Sequence, residues 1–417
     1  MFDSWLNDKT DINFPEKFLY HIWDGQHIKY KDIEKTQKTV SQKGIKIKFA
    51  GHYNTMAGAD FRNAIIEIND KIYNGDVELH LTSSDWYHHQ HDQNPVYNSV
   101  ILHVVLKHTH YLDFTLNEKN EKIEILELKD IISEDIEKLF HKYTDKEYLI
   151  SDKYCPLFSS IRPEFFEQYL FENGLERLEK KIKRFEAELS FVSMDQLFYQ
   201  SILEALGYSK NKHQLYLFSK DYKWNYFKQK GFTYQQFVTD FIDKAEFDTK
   251  KYGWYLFRIR PCNHPKNRLY QISSFIYNSF ESSLTTEISK LFSFKKDEFT
   301  IRKFKKRLYE NLNNPNDFTK YKLGQDRIDI ILINIFIPIL IVYAKMTNTV
   351  DLKETCYAIY KDFTGLLCNN IDDIMKKYMT QDQFTITQTK AIYQQGLMNT
   401  YYKYCINHLC EICKDNE

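Results

Sequence analysis

The sequence predicts an α+β protein, with a mixed α/β domain over residues 1–148 and a mostly α-helical domain over residues 149–417. Early in the chain, apolar residues alternate with polar ones in several short runs, which is typical of half-buried strands. Later, apolar residues recur every three or four positions, which favours amphipathic helices. Pro156 and Pro163 lie where the pattern changes, so we expect the domain boundary within residues 148–163.

The first domain is expected to contain one helix and six strands. The helix covers residues 15–24, with Pro15 near its first turn. Asn69, Asp70 and Lys71 separate two of the apolar runs, which predicts a hairpin with a tight turn. The predicted strands are Lys43–Phe49, Ala64–Ile68, Ile72–Leu81, Val100–Leu106, Tyr111–Leu116 and Lys122–Leu128.

Helical spacing dominates the second domain, where few Gly and Pro residues interrupt the chain. The longest apolar run, Ile328–Ala344, contains Asp329, Asn334 and Pro338 and is short for a membrane span. We therefore expect a buried helix there and no association with a membrane. The predicted helical segments are 164–190, 194–207, 234–245, 267–292, 298–311, 327–345, 351–363 and 387–413.

Composition excludes some functional classes. The 57 basic and 57 acidic residues balance, so the chain lacks the overall positive charge of a strongly basic nucleic-acid-binding protein, although local basic patches are still allowed. Seven scattered cysteines favour reduced thiols over a disulfide framework. The acidic, polar first residues do not resemble a signal peptide. We expect a soluble, cytoplasmic protein.

Most of the reactive side chains are concentrated in residues 57–106. Strand alternation places Glu78 and His80 on one face of a strand, and Asp60 precedes the neighbouring strand. If the strands pair, the two carboxylates converge and form a hard oxygen site for Mg²⁺ or Mn²⁺, with His80 placed to orient or deprotonate a water. The same residues also fit a structural interpretation, with Asp60 capping a turn, Glu78 solvated and His80 packed.

The order helix, strand, acid, strand, acid-x-base, helix, strand resembles the PD-(D/E)XK nuclease superfamily. The matching motifs are Gly58-Ala59-Asp60 and Glu78-Leu79-His80. The resemblance implies a restriction-endonuclease-like core in which Asp60 and Glu78 are metal ligands. It also implies that Glu16, on the first helix, supplies the additional acid found in some members. His80 stands where lysine is usual, which leaves the metal pair intact but departs from the catalytic pattern.

Three further histidines offer a second metal chemistry. Imidazoles combined with a carboxylate are common ligands of zinc or iron, so His89, His91 and either Glu78 or His103 would suit such an ion. Alternatively, His89, His91 and His103 contact phosphate or orient a metal-bound water. Asp85 and the following residues are expected to begin a short helix between the two groups of ligands.

Two features of the second domain carry further hypotheses. Cys405, Cys410 and Cys413 have the spacing of a structural zinc or iron–sulfur site, with His408 as an optional fourth ligand, although packed or free thiols fit the same pattern. Arg260 and Arg268 belong to a proline-stiffened positive segment that either contacts phosphates or forms ion pairs between domains.

The whole chain also resembles an uncharacterised bacterial family, a domain of unknown function. That family implies one shared architecture and no particular reaction. The residues that carry this resemblance are Gly51, Asn54, Gly58–Phe61, Asn63, Ala64, Gly75–His80, Ser84–Trp86, His89–His91, Tyr97, Val100–Val105, Gly207, Tyr208, Asn211, Lys212, Arg260, Pro261, Asn263, Pro265, Gln395–Leu397 and the cysteines near the C-terminus.

These patterns favour a divalent-metal-dependent nuclease that acts on nucleic acid. Asp60 and Glu78 would bind Mg²⁺ or Mn²⁺, and His80 would act on the attacking water. One alternative is a protein that binds nucleic acid or another protein through a degenerate nuclease fold without catalysis. The other is a metalloenzyme with a histidine-bound zinc or iron ion.

Overall fold

The computed structural model describes residues 16–29, 36–54, 57–133, 155–293, 300–313 and 322–415. Within these residues the α+β prediction is confirmed, because one mixed sheet is followed by a large helical region. The described chain forms two compact units. The first unit contains the residues up to Arg162, Met375–Met379 and the segment from Met398 onward, and the second contains Pro163–Ile374 and Thr380–Leu397.

The division into units differs from the domains expected from the sequence, because Met375–Met379 and the segment from Met398 onward belong to the first unit. The segment after Met398 carries the C-terminal cysteines and belongs to the first unit, although its helical pattern placed it with the helical domain. The first stretch of the first unit ends at Arg162, which lies within the expected range 148–163, whereas a division between residues 148 and 149 falls outside the described residues.

The first unit is built on one sheet with the strand order β1-β2-β4-β5-β6-β8-β7, and β3 pairs with β4. Strands β2, β4 and β5 are antiparallel neighbours, whereas β5, β6 and β8 run parallel to one another. The strands are β1 (Gln37–Lys38), β2 (Gly44–Phe49), β3 (His52–Tyr53), β4 (Phe61–Ile68), β5 (Lys71–Thr82), β6 (Val100–Lys107), β7 (Phe114–Leu116) and β8 (Lys122–Glu127).

The predicted tight turn between β4 and β5 is present. Asn69 and Asp70 have φ values of 45° and 63°, a left-handed conformation that Asn and Asp tolerate better than most residues. The turn sets the register from Ile68, which pairs with Lys71, to Ala64, which pairs with Gly75, and a register shift beyond Ala64 then pairs Phe61 with Val77. One predicted strand is shorter than expected, because Tyr111 is exposed and β7 begins only at Phe114.

A single amphipathic helix covers part of this sheet. Helix α1 (Glu16–Gly25) directs Phe18, Ile22 and Trp23 into the core, where all three are fully buried. The Trp23 indole N–H donates to the carbonyl oxygen of Ala50 at 2.9 Å, which satisfies its only polar atom. These contacts orient the exposed start of the helix, where Glu16 lies, toward the end of β5 that carries the polar cluster.

The remaining elements are helical, apart from short connecting turns. Helices α2 (Asp85–His88) and α3 (Pro156–Ser160) belong to the first unit. The later helices are α4 (Pro163–Glu188), α5 (Met194–Leu206), α6 (Tyr208–Asp221), α7 (Trp224–Gln229), α8 (Tyr234–Asp243), α9 (Pro265–Asn278), α10 (Leu284–Leu291), α11 (Ile301–Leu312), α12 (Gln325–Ile331), α13 (Ile337–Thr347), α14 (Val350–Asp362), α15 (Asn370–Met375), α16 (Gln381–Thr387), α17 (Ala391–Lys403) and α18 (Cys410–Asp415).

Two segments predicted as single helices are interrupted. The segment 267–292 divides into α9 and α10 because the Ser283 hydroxyl accepts a hydrogen bond from the Thr286 N–H at 3.0 Å and caps a new helix. The segment 387–413 divides into α17 and α18 because His408 adopts a left-handed conformation with φ of 54°, which ends the helical path.

The longest apolar stretch forms one continuous helical path, Gln325–Thr347. By length and composition alone it could cross a membrane, but 67% of its most apolar window is buried in the protein, as in the core helix of a soluble fold. The path widens into a π-helical turn at Leu332–Phe336, just before Pro338. This wider turn accommodates a proline that cannot donate to the carbonyl of Asn334.

Two glycines let helices α4 and α17 approach closely within the second unit. A Cβ atom added at Gly396 would lie 2.0 Å from the carbonyl oxygen of Leu170, and one added at Gly174 would lie 2.4 Å from that of Ile392. The backbones therefore touch at both positions, and any larger residue would force them apart.

We expect Gly396→Ala to destabilise the second unit by about 1–3 kcal/mol, as overpacked cores do. The loss should exceed the gain from the higher helix propensity of alanine. Gly324→Ala is the matched control, because a Cβ atom there meets no atom of the described chain within 4 Å. Thermal unfolding followed by circular dichroism measures both variants, and equal melting temperatures would contradict the close approach.

Candidate metal centre

The structure brings Asp60 and Glu78 together at the paired ends of two strands. Asp60 immediately precedes β4, and Glu78 follows the residue of β5 that pairs with Phe61. The Asp60 backbone N–H donates to Glu78 Oε2 at 3.0 Å, and the Leu79 backbone N–H donates to Asp60 Oδ2 at 3.0 Å. The backbone at Asp60 thus fixes the Glu78 carboxylate, and the backbone next to Glu78 fixes the Asp60 carboxylate.

The loop before Asp60 is held by a side chain that the sequence did not single out as structural. The Asn54 backbone N–H donates to the Asp60 carbonyl at 2.7 Å, and its side-chain amide donates to the Ala59 carbonyl at 2.9 Å. Gly58 has φ of 103°, a conformation that favours glycine. Gly58 and Asn54 therefore fix the backbone next to Asp60.

Asp76 has a structural role beside the site. Its Oδ1 accepts the backbone N–H of Asn63 at 3.0 Å, and its Oδ2 accepts the Ser99 hydroxyl at 2.7 Å. Asn63 lies where the β4–β5 register shifts and has φ of 57°. Asp76 therefore stabilises the bulge that aims Asp60 at Glu78.

Burial raises the pKa of both carboxyl groups. For Asp60, removal from water is the largest cause, and the Glu78 charge adds to it. For Glu78, removal from water again dominates, the hydrogen bond from Asp60 opposes it, and the Glu16 charge adds to it. Among the described residues, no lysine or arginine forms an ion pair with either group. Within the described residues the pair therefore forms a buried acidic site without a lysine or arginine partner.

Histidine rings surround the outer oxygen of Glu78. Its Oε1 lies 3.2 Å from His91 Nε2 and 3.8 Å from His80 Nε2. His80 Nε2 also lies 3.1 Å from His89 Nδ1. The ring nitrogens of His80, His89 and His91 all fall within 4.8 Å of one another, close enough for one metal ion to bind all three.

His103 lies behind this cluster and contacts only its innermost ring. It pairs with Glu78 across β5 and β6, and its Nε2 lies 2.9 Å from His80 Nδ1. If His80 offers the Nε2 lone pair to a metal, its Nδ1–H must donate to His103. His103 is fully buried and is therefore placed to set the tautomer of His80, not to contact a substrate.

Burial keeps the rings of His80, His91 and His103 neutral. The Trp86 ring makes edge contacts with His80 and His91 and is anchored by its N–H to the Leu116 carbonyl at 2.9 Å. Burial lowers the pKa of His80 to about 3, with the charges of His91 and His89 adding to the effect, and it also lowers the pKa values of His91 and His103. Neutral imidazoles keep a lone pair for a metal.

Helix α1 contributes two side chains to the same site. Tyr20 lies one turn after Glu16, and its hydroxyl is within hydrogen-bonding reach of Glu16 and Asp60. Burial is the main cause of the raised pKa of Tyr20, and the charges of these two acids add to it. Burial raises the pKa of Glu16 too, while His89 opposes the shift. The expected additional acid thus lies beside the carboxylate pair, whereas Tyr20 was missed by sequence reasoning.

The predicted phosphate-binding arginines belong to the second unit. Arg260 is exposed, whereas Arg268 is 4% exposed and donates to Asn263 and Gln271. Arg327, which sequence reasoning missed, is 7% exposed, and both guanidiniums lie over the Tyr208 ring. Among the described residues no carboxylate pairs with Arg268 or Arg327, so within this part of the chain two buried cations lack a counter-ion.

We expect the metal-free first unit to lose stability as pH rises above the ordinary carboxyl value near 4, because both folded-state pKa values are raised. Glu78→Gln, which can still accept the Asp60 N–H, should flatten this loss and raise the melting temperature at pH 8 in EDTA. Glu67→Gln, on β4 beside Lys48, is the control. A parallel pH dependence in wild type and Glu78→Gln would contradict the buried charge.

Comparison with known proteins identifies a family and no described activity. The family model described as "Protein of unknown function (DUF2851)" matches residues 16–247 and 217–365. No curated protein and no solved structure matches the chain. The matched residues include Asp60, Glu78 and the histidine cluster, and the prediction from the whole-chain resemblance is confirmed. The chain therefore belongs to the DUF2851 family.

Proposed function

We propose that this protein is a divalent-metal-dependent nuclease whose centre is formed by Asp60, Glu78 and His80. The observation that carries the proposal is the crossed pair of hydrogen bonds that holds two buried carboxylates side by side, with His80 on the same strand face. Such a pair is a binding site for a hard cation, and phosphodiester hydrolysis is the chemistry that the PD-(D/E)XK resemblance implies.

The strand order supports this assignment. Helix α1 precedes β2, β4 and β5, which are antiparallel, and the short helix α2 then leads to β6, which is parallel to β5. This is the element order on which the nuclease resemblance rests, and both acids lie on the central hairpin. The helix in the crossover is short, since α2 spans only Asp85–His88, and two 3₁₀ turns, His91–Gln93 and Pro95–Tyr97, complete the connection to β6.

The donor set fits a divalent cation. The two buried carboxyl groups have raised pKa values and no described lysine or arginine partner. A bound cation would stabilise their ionised forms. The neighbouring imidazoles of His80 and His91 favour Mn²⁺ over Mg²⁺, because manganese accepts both oxygen and nitrogen ligands. A bound metal would polarise a phosphate and lower the pKa of water.

His80 performs a different task from the lysine it replaces. A lysine would place a fixed positive charge beside the scissile phosphate. His80 is neutral, since burial lowers its pKa to about 3, so it orients a water or ligates through Nε2 and supplies no charge. Its Nδ1 is held by His103 at 2.9 Å, which keeps the ring facing Glu78.

Substrate phosphates would be bound by arginines of the second unit. Arg268 and Arg327 have neutral partners and no described acid, so an anion would supply the missing counter-charge. Arg260, which is exposed near the start of the same segment, would add a contact to the nucleic-acid backbone. Because the chain has no net charge, these arginines, and not the overall charge of the protein, would attract nucleic acid.

We expect Mn²⁺-dependent cleavage of DNA or RNA that falls at least about 100-fold in Asp60→Asn and in Glu78→Gln. Gel assays with end-labelled single-stranded and double-stranded substrates measure the rates. Glu67→Gln retains activity, because its carboxylate pairs with Lys46 and Lys48 on β2. Cleavage that persists in both site variants would exclude the carboxylate pair.

We expect the metal itself to be bound before any substrate is added. Titration with Mn²⁺ followed by electron paramagnetic resonance should show about one tight site in wild type and none in the Asp60→Asn/Glu78→Gln double variant. Circular dichroism of the double variant provides the folding control. Nucleic-acid binding that weakens with salt, survives EDTA and leads to no turnover would instead favour a non-catalytic protein.

A histidine-bound zinc or iron enzyme is the second candidate. It is favoured by the mutual proximity of the ring nitrogens of His80, His89 and His91 within 4.8 Å. In that case the His89→Ala variant would lose the transition metal. The Asp60→Asn variant would keep it, because Asp60 is not one of the three histidine ligands. Metal analysis of the two variants therefore separates the second candidate from the nuclease.

A further inference from the structure

Two guanidinium groups contact one tyrosine ring in the second unit. The Cζ atom of Arg327 lies 3.2 Å from the centroid of the Tyr208 ring, and the Cζ atom of Arg268 lies 5.0 Å from the same centroid. Both arginines are buried, whereas Tyr208 is 40% exposed. Two buried positive charges therefore adjoin an aromatic ring that a ligand can reach from solvent.

The hydrogen-bond partners of these arginines are neutral and incomplete. Arg268 donates to Asn263 Oδ1 at 2.6 Å and to the Tyr208 hydroxyl at 3.2 Å. Arg327 donates from Nη1 to the Ala205 carbonyl at 3.3 Å, which leaves its Nη2 group without a partner in the described chain. The Nε atoms of both arginines are buried and also lack a partner there. A phosphate would supply both an acceptor and a counter-charge.

An exposed aromatic loop adjoins this pair of arginines. The Asn211 side chain, three residues after Tyr208, donates to the Tyr255 carbonyl and accepts the Tyr255 N–H, both at 2.9 Å. Tyr255 is 41% exposed, and Phe257 is 67% exposed. The two hydrogen bonds therefore fix the loop beside the start of α6 and leave its aromatic rings on the surface.

Cations lie over both rings of the loop. Lys210 Nζ lies 4.1 Å from the centroid of the Tyr255 ring, and Arg258 Cζ lies 5.0 Å from that of the Phe257 ring. Arg258 has φ of 51°, a left-handed conformation that is uncommon for arginine. Within the described residues neither cation forms an ion pair with a carboxylate. The loop therefore presents aromatic faces and positive charge side by side.

Exposed aromatic faces beside unpaired cations fit a single-stranded nucleic acid. In a duplex each base is covered by its neighbours, whereas an unpaired base can turn outward and stack on an aromatic side chain. Arginine and lysine beside such rings bind the phosphates that connect the bases. An acidic peptide would satisfy the charges, but it has no regular series of flat rings to cover the exposed aromatic side chains.

We propose that the second unit binds single-stranded DNA or RNA, with three aromatic rings stacking unpaired bases and three arginines holding the adjoining phosphates. The residues of this single-strand-binding surface are Tyr208, Tyr255, Phe257, Arg258, Arg268 and Arg327. The choice of nucleic acid as the ligand rests on the proposed nuclease function, to which the surface adds the class of substrate. The binding needs no metal ion, so it persists in EDTA, which stops metal-dependent cleavage.

The test is fluorescence anisotropy of the full chain in EDTA with labelled probes. The probes are single strands of about 16 thymidines or uridines and a mixed-sequence duplex of the same length. We expect a single strand to bind at least about tenfold more tightly than the duplex, and the ratio between the two strands distinguishes a preference for DNA from one for RNA. Equal affinity for strand and duplex, a preference for the duplex, or no binding would overturn the proposal.

Variants identify the aromatic contacts. Tyr255→Ala and Phe257→Ala should each weaken single-strand binding at least about fivefold, because one stacked base is lost. Phe191→Ala is the matched control, since Phe191 is an aromatic residue of the same unit that is 45% exposed and is not part of the surface. Unchanged affinity in both loop variants, or an equal loss in Phe191→Ala, would contradict the surface.

Arg258→Ala tests the phosphate contacts. Arg258 is exposed, so its replacement should leave the fold intact. The slope of log affinity against log salt concentration should become shallower by about 0.7, the value for one phosphate contact on a single strand. Arg302→Ala, at an exposed position on α11, is the control and should keep the wild-type slope. Equal slopes in wild type and Arg258→Ala would exclude this contact.

A measurement on wild type avoids variants that fail to fold. Oxidation by hydroxyl radicals, read by mass spectrometry, should fall at Tyr255 and Phe257 when a saturating thymidine strand is added, and should stay unchanged at Phe191. Absence of protection at the loop would overturn the surface.

The outcomes also separate this inference from the nuclease proposal. Metal-dependent cleavage without protection of the loop would keep the nuclease and overturn the surface. Single-strand binding with protection of the loop, but without cleavage in Mn²⁺ or Mg²⁺, would keep the surface and overturn the nuclease.

Discussion

The constraint on which the first unit depends is the cost of removing two carboxylates from water in one place. The neighbouring structure reduces this cost in several ways. The backbone N–H groups of Asp60 and Leu79 are directed at the acids, Tyr20 approaches from α1, and the imidazoles of His80 and His91 stay uncharged. Asp76 holds the bulge that creates this arrangement. The sheet therefore maintains a negative site that it does not itself neutralise.

The sheet and the carboxylate pair could be predicted because local rules govern both. Alternation identifies the strands, Asn69 and Asp70 specify the turn, and a hairpin brings the residue before one strand to the middle of the other. The histidine cluster was less accessible to this reasoning. His89 and His91 share a side because Gln90 adopts φ of 60° between them, not because they lie on a strand. No period in the sequence signals such a residue.

What sequence reasoning missed are contacts made by distant segments. Tyr20 reaches the site only because Phe18, Ile22 and Trp23 dock the first helix on the sheet. Helix α3, which follows Cys155, packs against α18 near the end of the described chain. Arg327 shares a tyrosine with Arg268 across a long stretch of sequence. Helix interruptions such as that at Ser283 depend on single capping hydrogen bonds, which apolar spacing does not record.

The return of the C-terminal segment to the first unit has a consequence for biosynthesis. The strands that carry the acids leave the ribosome early, yet the segment from Met398 onward, which completes their unit, is translated after the entire helical unit. The nascent sheet must therefore persist with an uncovered surface while the intervening chain is made.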